Sequence, residues 1–244
     1  MRKSYEMDMV NGPLLKSILL YAFPLMLSGI LQLLFNAADI IVVGRFAGSQ
    51  ALAAVGSTSS LINLLINLFV GVSIGTNVLV ARYYGARDVE GIEETVNTSI
   101  ITAFVGGIIL IFIGFFASQP LLALMGTPAD VIDQSVLYMR IYFAGMPAFM
   151  VYNFGAAILR SVGDTRRPLY FLVIAGIINV LLNLIFVINF HMGVAGVAIP
   201  TLVSRMVAAF LMLWLAAKPN HALQLAKGNI FRIHTGMMGN ILRI

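Results

Sequence analysis

Long apolar runs separated by short polar turns set the pattern of this chain. Six runs share the length and the scarcity of charge expected of a bilayer crossing, at about 17–44, 52–80, 95–117, 131–159, 168–188 and 194–217. A bilayer core about 30 Å thick needs roughly 20 apolar residues per helix. The pattern therefore predicts an all-α integral membrane protein with six transmembrane helices.

The composition removes the main alternatives to a helical membrane protein. Of the 244 residues, 60% are hydrophobic and only 10% are charged, whereas soluble domains carry about 25% charged residues. The chain therefore lacks the ions needed to cover a water-facing surface. A membrane β-barrel is excluded because its strands would alternate apolar and polar residues over stretches of about ten.

The basic residues indicate how the helices are oriented. If both termini, the second-to-third loop and the fourth-to-fifth loop share one side, twelve basic residues fall there and only Arg45 falls opposite. The positive-inside rule makes that side cytoplasmic, so both termini are predicted to be cytoplasmic. Because these residues are spread between the apolar runs, we expect no nucleic-acid partner. The twelve are Arg2, Lys3, Lys16, Arg82, Arg87, Arg160, Arg166, Arg167, Lys218, Lys227, Arg232 and Arg243.

The residues required for common enzyme chemistry are absent or scattered. The chain has no cysteine, which excludes disulfides and Cys-ligated metals. Its histidines, His191, His221 and His234, have no HExxH spacing. The chain also has no nucleophile elbow and no Gly-rich phosphate loop. We therefore predict that the protein is not an enzyme and has no cofactor.

Two segments differ in character and define the predicted domains. Residues 1–217 form the six-helix membrane lobe, and residues 218–244 form a mixed tail. In the tail, Ile230, Met237 and Ile241 fall on one helical face together with Ile233. This pattern predicts an amphipathic helix that lies on the cytoplasmic surface of the membrane.

Asp39 is the one acidic residue of ten that lies inside an apolar run, since the other nine lie outside the runs or at their ends. Placing a carboxylate in the bilayer costs about 3 kcal/mol on insertion scales, so such a residue is a functional candidate by default. Ser28, Gln32 and Asn36 precede it at helical spacing and form a polar stripe that should face protein or a water-filled cavity. A carboxylate in that place can exchange a proton for a sodium ion. The alternative is that Asp39 caps the span and pairs with Arg45.

Two pairs of asparagines lie at helical spacing within the apolar runs. Asn179 and Asn183 are four residues apart on predicted helix five. They are either hydrogen-bonding contacts between helices or neutral oxygen ligands for a hard cation. Asn63 and Asn67 form a similar pair on helix two. We interpret this second pair as helix contacts or as cavity lining.

Three further features of the spans leave more than one interpretation open. Thr201 follows Pro200, whose missing N–H frees a carbonyl that can bind an ion or can simply mark a kink. Pro24 lies fifteen residues before Asp39 and predicts a bend in helix one. Arg205 lies near the middle of helix six, where it can bind an anion, pair with another residue or snorkel to the interface.

Short motifs distributed over the entire chain resemble, in order and spacing, the multidrug and toxic compound extrusion (MATE) transporters. They are FPL at 23–25, FNAAD at 35–39, VGR at 43–45, ALAAVG at 51–56, GARD at 85–88, LRSVGDTR at 159–166, INVLLN at 178–183 and GVAGVA at 193–198. The resemblance implies a secondary active antiporter that exports organic cations or drugs in exchange for Na⁺ or H⁺.

The resemblance also implies an architecture and partners. MATE transporters have two six-helix lobes with the substrate held between them, and this chain resembles the first lobe. Residues 239–244 resemble the lead-in to helix seven, so 218–244 is expected to be the cytoplasmic linker between lobes. The expected partners are a second six-helix lobe, membrane lipid and a small organic cation. The short loops suit a multi-pass protein of a bacterial inner membrane.

The resemblance assigns roles to the polar positions found above. The first-lobe cation site of the family maps onto Asp39, Asn179, Asn183 and Thr201, which are therefore the candidate ion-coupling residues and Na⁺ ligands. Pro24 is the candidate bend that couples occupancy to cavity shape. Many members carry aspartate where this chain has Asn183, so the choice between Na⁺ and H⁺ stays open. The candidate cavity-lining residues are Ser28, Gln32, Asn36, Asn63, Asn67 and Arg205.

Two alternative functions are compatible with the same residues. One is a flippase for lipid-linked precursors from the same superfamily, for which the cationic side chain of Arg205 is the single indication. The other is a membrane scaffold that transports nothing, since one lobe cannot enclose a cavity formed by two.

Overall fold

The computed structural model describes residues 14–217 together with residues 239 and 241. Within 14–217 the chain is helical apart from short connections. Within this range, the first α-helix is followed by a π-helical turn at Val43–Ala47, and the seventh α-helix is followed by another at Ile185–Asn189. The α-helices are α1 (Leu14–Val42), α2 (Ser49–Ala86), α3 (Val89–Phe116), α4 (Ser118–Leu124), α5 (Ile132–Ala144), α6 (Met146–Ser161), α7 (Arg166–Leu184) and α8 (Ala195–Ala216).

Five of the helical segments are long and apolar enough to cross a membrane. They are Leu15–Ala47, Ser49–Ala86, Val89–Phe116, Arg166–Asn189 and Ala195–Ala216. The pair α5 and α6 makes a sixth crossing if it is counted as one span, bent by 47°. The prediction of an all-helical, multi-pass membrane protein is confirmed. The cytoplasmic placement of the termini stays a prediction.

The fourth predicted span is broken, where the sequence pattern indicated one continuous helix over 131–159. The backbone N–H of Gly145 closes the end of α5 by donating to the carbonyl of Tyr142 at 3.2 Å. Pro147 then stands in the first turn of α6. Because proline has no N–H, it cannot continue the hydrogen-bond ladder of α5, but it is well suited to start a helix. The physical cause of the break is therefore Pro147, two residues after Gly145.

The centre of the fold is α6, which packs against α2, α3 and α8. Phe154 and Ile158 of α6 are fully buried, as are Phe143 and Met139 of α5. Small residues on α3 allow close packing, because a Cβ at Gly107 would overlap the backbone of Pro147. Such small residues are how membrane helices approach each other closely. The bent pair is thereby held against α3.

Helix α1 lies at the edge of the fold and packs mainly along α7. The side chain of Phe35 lies directly on Gly176 of α7, where a Cβ would collide with the ring. Large apolar side chains cover the remaining faces of α1, and Leu19 and Leu33 among them are exposed. The position of α1 on the lobe therefore depends on a narrow strip of contact.

Two predicted features fall largely outside the described residues. The predicted tail helix over 218–244 is described only at residues 239 and 241, which are helical. Ile241 is buried, with its backbone against Gly75 of α2. The boundary of the lobe at residue 217 and the role of the tail as a linker stay predictions.

Replacing Gly176 by alanine should destabilise the lobe. The new Cβ would overlap the Phe35 ring, and overpacking of this kind costs about 1–3 kcal/mol. Gly71→Ala on α2 is the matched control, because a Cβ there meets no atom within 4 Å. Thermal unfolding of the purified protein in detergent should show a lower melting temperature for Gly176→Ala alone. Equal melting temperatures for the two variants would contradict the close α1–α7 contact.

Candidate functional site

Asp39 faces α7 from the last turns of α1. Its carboxylate accepts a hydrogen bond at Oδ1 from the Nδ2 of Asn183. The side chain is partly buried, one helical turn beyond Phe35, which rests on Gly176. The packing of Phe35 on Gly176 therefore also places the Asp39 carboxylate beside Asn183.

Asn179 and Asn183 form a short polar ladder on α7. Both are buried, with 6% and 0% of their surface exposed. The Nδ2 of Asn183 donates to the Oδ1 of Asn179 at 3.2 Å as well as to Asp39. The Nδ2 of Asn179 donates to the Oγ1 of Thr201 on α8 at 3.3 Å. A chain of hydrogen bonds thus runs from α1 through α7 to α8.

The amide of Asn179 can take two orientations with different consequences. With its nitrogen towards Asp39, it donates to Oδ1 at 2.8 Å, and its oxygen accepts from the backbone N–H of Thr201 at 3.3 Å. With its oxygen towards Asp39, two oxygen atoms face each other at that same 2.8 Å. Two acceptors at that distance attract only if a proton or a cation lies between them. An ionised Asp39 therefore favours the orientation with the amide nitrogen towards it.

Two further oxygens border this cluster. The hydroxyl of Thr201 donates to the carbonyl of Val197 at 2.9 Å. The lone pairs of the hydroxyl oxygen therefore point away from that carbonyl. In the described part of the chain, the Oδ1 of Asn183 is buried without a hydrogen-bond partner. The structure thus brings Asp39, Asn179, Asn183 and Thr201 together. What they bind stays a prediction.

The donor set has the chemistry of a hard-cation or proton site. Carboxylate, amide and hydroxyl oxygens are the ligands of hard cations, whereas transition metals favour imidazole and thiolate. Among the residues that the structure describes, no three His, Cys, Asp or Glu side chains come together. The four predicted residues are thus suited to Na⁺ or H⁺.

The polar stripe predicted on α1 divides into two environments. Ser28 is buried, and its hydroxyl donates to the carbonyl of Pro24 at 2.8 Å. Gln32 and Asn36 are exposed on the surface of the lobe. Helix α1 is continuous through Pro24, so the bend expected there stays a prediction.

Asn63 and Asn67 are also exposed, one turn apart on α2. An amide within a membrane span cannot face lipid without leaving its hydrogen-bonding groups unsatisfied. The exposed amides of α1 and α2 therefore require a covering of protein or water. This placement is compatible with the predicted cavity lining.

Arg205 is partly buried, and its guanidinium lies over two aromatic rings. Its guanidinium carbon is 3.8 Å from the ring centroid of Tyr142 and 4.7 Å from that of Phe149. Its Nη1 donates a long hydrogen bond of 3.5 Å to the carbonyl of Tyr142. The positive charge is already engaged, which disfavours the interpretation of Arg205 as an anion site.

Sequence reasoning missed the aromatic residues around this region. Tyr138 is buried on α5. Its ring also contacts that of Tyr142, with centroids 5.8 Å apart. The i, i+4 spacing of the two tyrosines, together with an arginine in another span that needed a partner, was the available signal.

Several known proteins are similar to this chain over most of its length. A family model described as MatE matches residues 24–185. The probable multidrug resistance protein YoeA of Bacillus subtilis is 33% identical over 216 residues, which are 87% of this chain and 47% of that protein. The FAD transporter of Shewanella oneidensis is 26% identical over 230 residues, which are 92% of this chain and 50% of that protein.

A solved structure shows the same helical arrangement. It is the outward-facing conformation of a multidrug resistance MATE family transporter of the MOP superfamily, with a TM-score of 0.86 and 30% identity. The match covers 94% of this chain and 51% of that one. The chain therefore spans about half the length of the proteins it matches.

Replacing Asn183 by leucine should destabilise the junction of α1 and α7. Asp39 and Asn179 both lose a donor, and an unsatisfied buried polar group costs about 1–3 kcal/mol. The melting temperature in detergent should fall accordingly. Asn67→Leu makes the same exchange at an exposed position and should change stability by no more than about 0.5 kcal/mol. If both variants melt alike, Asp39 does not depend on Asn183.

Proposed function

Because this chain belongs to the MatE family, we propose that it is the first six-helix lobe of a secondary active antiporter. The antiporter would export organic cations or drugs in exchange for Na⁺ or H⁺. The observation that supports this proposal is the cluster of Asp39, Asn179, Asn183 and Thr201 where α1, α7 and α8 meet. A carboxylate kept inside a span at a cost of about 3 kcal/mol is rarely idle.

Either cation can neutralise Asp39 within this cluster. A sodium ion would take oxygens from the carboxylate, the two amides and the Thr201 hydroxyl. A proton would join Asp39 and Asn179 across the 2.8 Å that separates them. The cluster has a single carboxylate, so it compensates one positive charge. Exchange of one cation per cycle at Asp39 is the simplest mechanism for these residues.

Helix α1 has a second contact with the lobe on the N-terminal side of Pro24. This contact suggests how cation binding at Asp39 changes the shape of the helix. The hydroxyl of Tyr21 donates to the carbonyl of Arg160 at the end of α6, at 3.2 Å. On the C-terminal side of Pro24, the hydrogen bond from Asn183 to Asp39 holds α1. When a cation alters the contact at Asp39, the contact at Tyr21 stays fixed, and Pro24 lies between the two. A missing backbone hydrogen bond makes that position the easiest to bend.

The proposed substrate contacts are the exposed amides of α1 and α2. Gln32, Asn36, Asn63 and Asn67 would face a second six-helix lobe across the substrate cavity. Binding between repeats near the middle of the bilayer is common in secondary transporters. The relatives reported above are bacterial, and we place this protein in the bacterial inner membrane.

Neither alternative function gains support from the structure. A flippase for anionic lipid-linked precursors requires a free basic group, and the guanidinium of Arg205 already contacts two aromatic rings. The relative named an FAD transporter nevertheless makes an anionic cargo worth including in any assay. A scaffold without transport would move no cargo under either ion gradient.

Asp39→Asn should abolish cation-driven export while membrane insertion is retained. The neutral amide preserves the shape of the side chain but cannot exchange a proton or pair with Na⁺. The protein expressed from its natural gene would be reconstituted in vesicles, and ethidium movement followed under a Na⁺ gradient at equal pH, then under a pH gradient without Na⁺. The gradient that drives transport identifies the coupling cation.

The matched control is Asp133→Asn, since Asp133 is an exposed acid in the first turn of α5. It should transport like the wild type at equal expression. Full activity of Asp39→Asn would contradict the assignment of the site. Transport of FAD instead of ethidium would replace the substrate class, and no transport of either by the wild type would favour the scaffold.

A further inference from the structure

Arg205 lies on the same face of α8 as Thr201, one helical turn further along. Residues four apart on a helix are neighbours on its surface. Thr201 forms the α8 side of the candidate site through its contact with Asn179. The position of Arg205 therefore bears directly on where Thr201 stands.

The guanidinium is held from both arms of the break between α5 and α6. Tyr142 belongs to the last turn of α5 and Phe149 to the first turn of α6. Both rings lie within the roughly 6 Å over which a cation is attracted to an aromatic face, at 3.8 and 4.7 Å. One side chain of α8 thus joins two helices that Gly145 separates.

A third contact fixes the guanidinium at the end of α5. The carbonyl of Tyr142 accepts from Arg205 as well as from the backbone N–H of Gly145. Carbonyls in the last turn of a helix lack a full set of partners, and a cation there is favoured by the helix dipole. A Cβ at Gly145 would meet Leu202 at 3.0 Å and the Cδ of Arg205 at 3.5 Å. The break is therefore packed closely on α8.

A simple counter-ion role for Arg205 explains less of this geometry. No salt bridge joins Arg205 to Asp39 in the part of the chain that is described. The direct partners of the guanidinium are the two rings and the helix end.

We propose that Arg205 is a positioning residue for the candidate cation site. By clamping α8 to both arms of the α5–α6 break, it holds Thr201 against Asn179. This inference rests on the proposed function, because it assigns Thr201 to cation binding. When the clamp is lost, α8 shifts relative to α7, and the site loses its Thr201 ligand.

The first test separates the planar clamp from the charge. Arg205→Lys keeps the charge but lacks the planar guanidinium that lies over both rings. The concentration of the coupling cation at half-maximal ethidium transport should rise about five- to tenfold, as expected for losing cation–π contacts, with little change in maximal rate. Arg140→Lys is the matched control, because Arg140 lies over the ring of Phe115 at 4.7 Å in the same bent span. It should leave the half-maximal concentration unchanged.

The second test removes the ring of Tyr142 and leaves Arg205 in place. Tyr142→Leu should raise the half-maximal concentration as Arg205→Lys does, whereas Tyr142→Phe keeps the ring and should behave as the wild type. The double variant Arg205→Lys with Tyr142→Leu should be no worse than either single variant, because both break the same contact. If Arg205→Lys does not fold, the two tyrosine variants decide. An equal effect of Arg140→Lys, or a full effect of Tyr142→Phe, would overturn the proposal.

A thermal cycle tests the clamp independently of transport. Thr201→Val should lower the melting temperature of the wild type but not that of Arg205→Lys, in which the contact to Asn179 is already lost. Equal effects in the two backgrounds would overturn the positioning role. A wild type without cation-driven transport would overturn the proposed function and the assignment of Thr201 to cation binding with it. Transport that Arg205→Lys leaves unaltered would overturn this inference alone.

Discussion

The approach of α1 to α7 is the contact on which the candidate site depends. A carboxylate within a bilayer must find hydrogen-bond donors in protein, because lipid offers none. Gly176 provides the space for Phe35, and one turn further Asp39 meets the amide of Asn183. Most of α1 is otherwise exposed. A larger side chain at position 176 would therefore remove both the support of the helix and the partner of its charge.

The break in the fourth span organises the opposite side of the same site. Pro147 ends the hydrogen-bond ladder of α5, and the glycines of α3 let the bent pair pack closely. The bend turns Tyr142 and Phe149 towards α8, where they enclose Arg205. An arginine in an apolar span is costly unless it is paired. Aromatic faces and a helix end satisfy it here without using the carboxylate of Asp39.

Much of this could be predicted from the sequence because it follows local periodicity. The spacing of Asn179 and Asn183 puts both on one face of a helix, and Asp39 stands out as a lone acid in an apolar run. The partners of Arg205 could not be found in that way, since Tyr142 and Phe149 lie 63 and 56 positions away along the chain. Their contact is created by the bend at Gly145. The burial of Ser28 and the exposure of Gln32 likewise depend on the packing around α1, which cannot be derived from the periodicity of the sequence.

Two neighbouring faces of α1 carry the candidate cation site and the proposed substrate contacts, so one rigid helix carries both. Phe35 and Asp39 face α7, whereas Gln32 and Asn36 on the adjacent face are exposed. A helix is stiff over a single turn, so a displacement of Asp39 moves Asn36 with it. In the proposed antiporter, a cation that loosens Asp39 from Asn183 would therefore shift the amides that face the cargo. No separate relay through the lobe is required, and the coupling distance is one turn of α1.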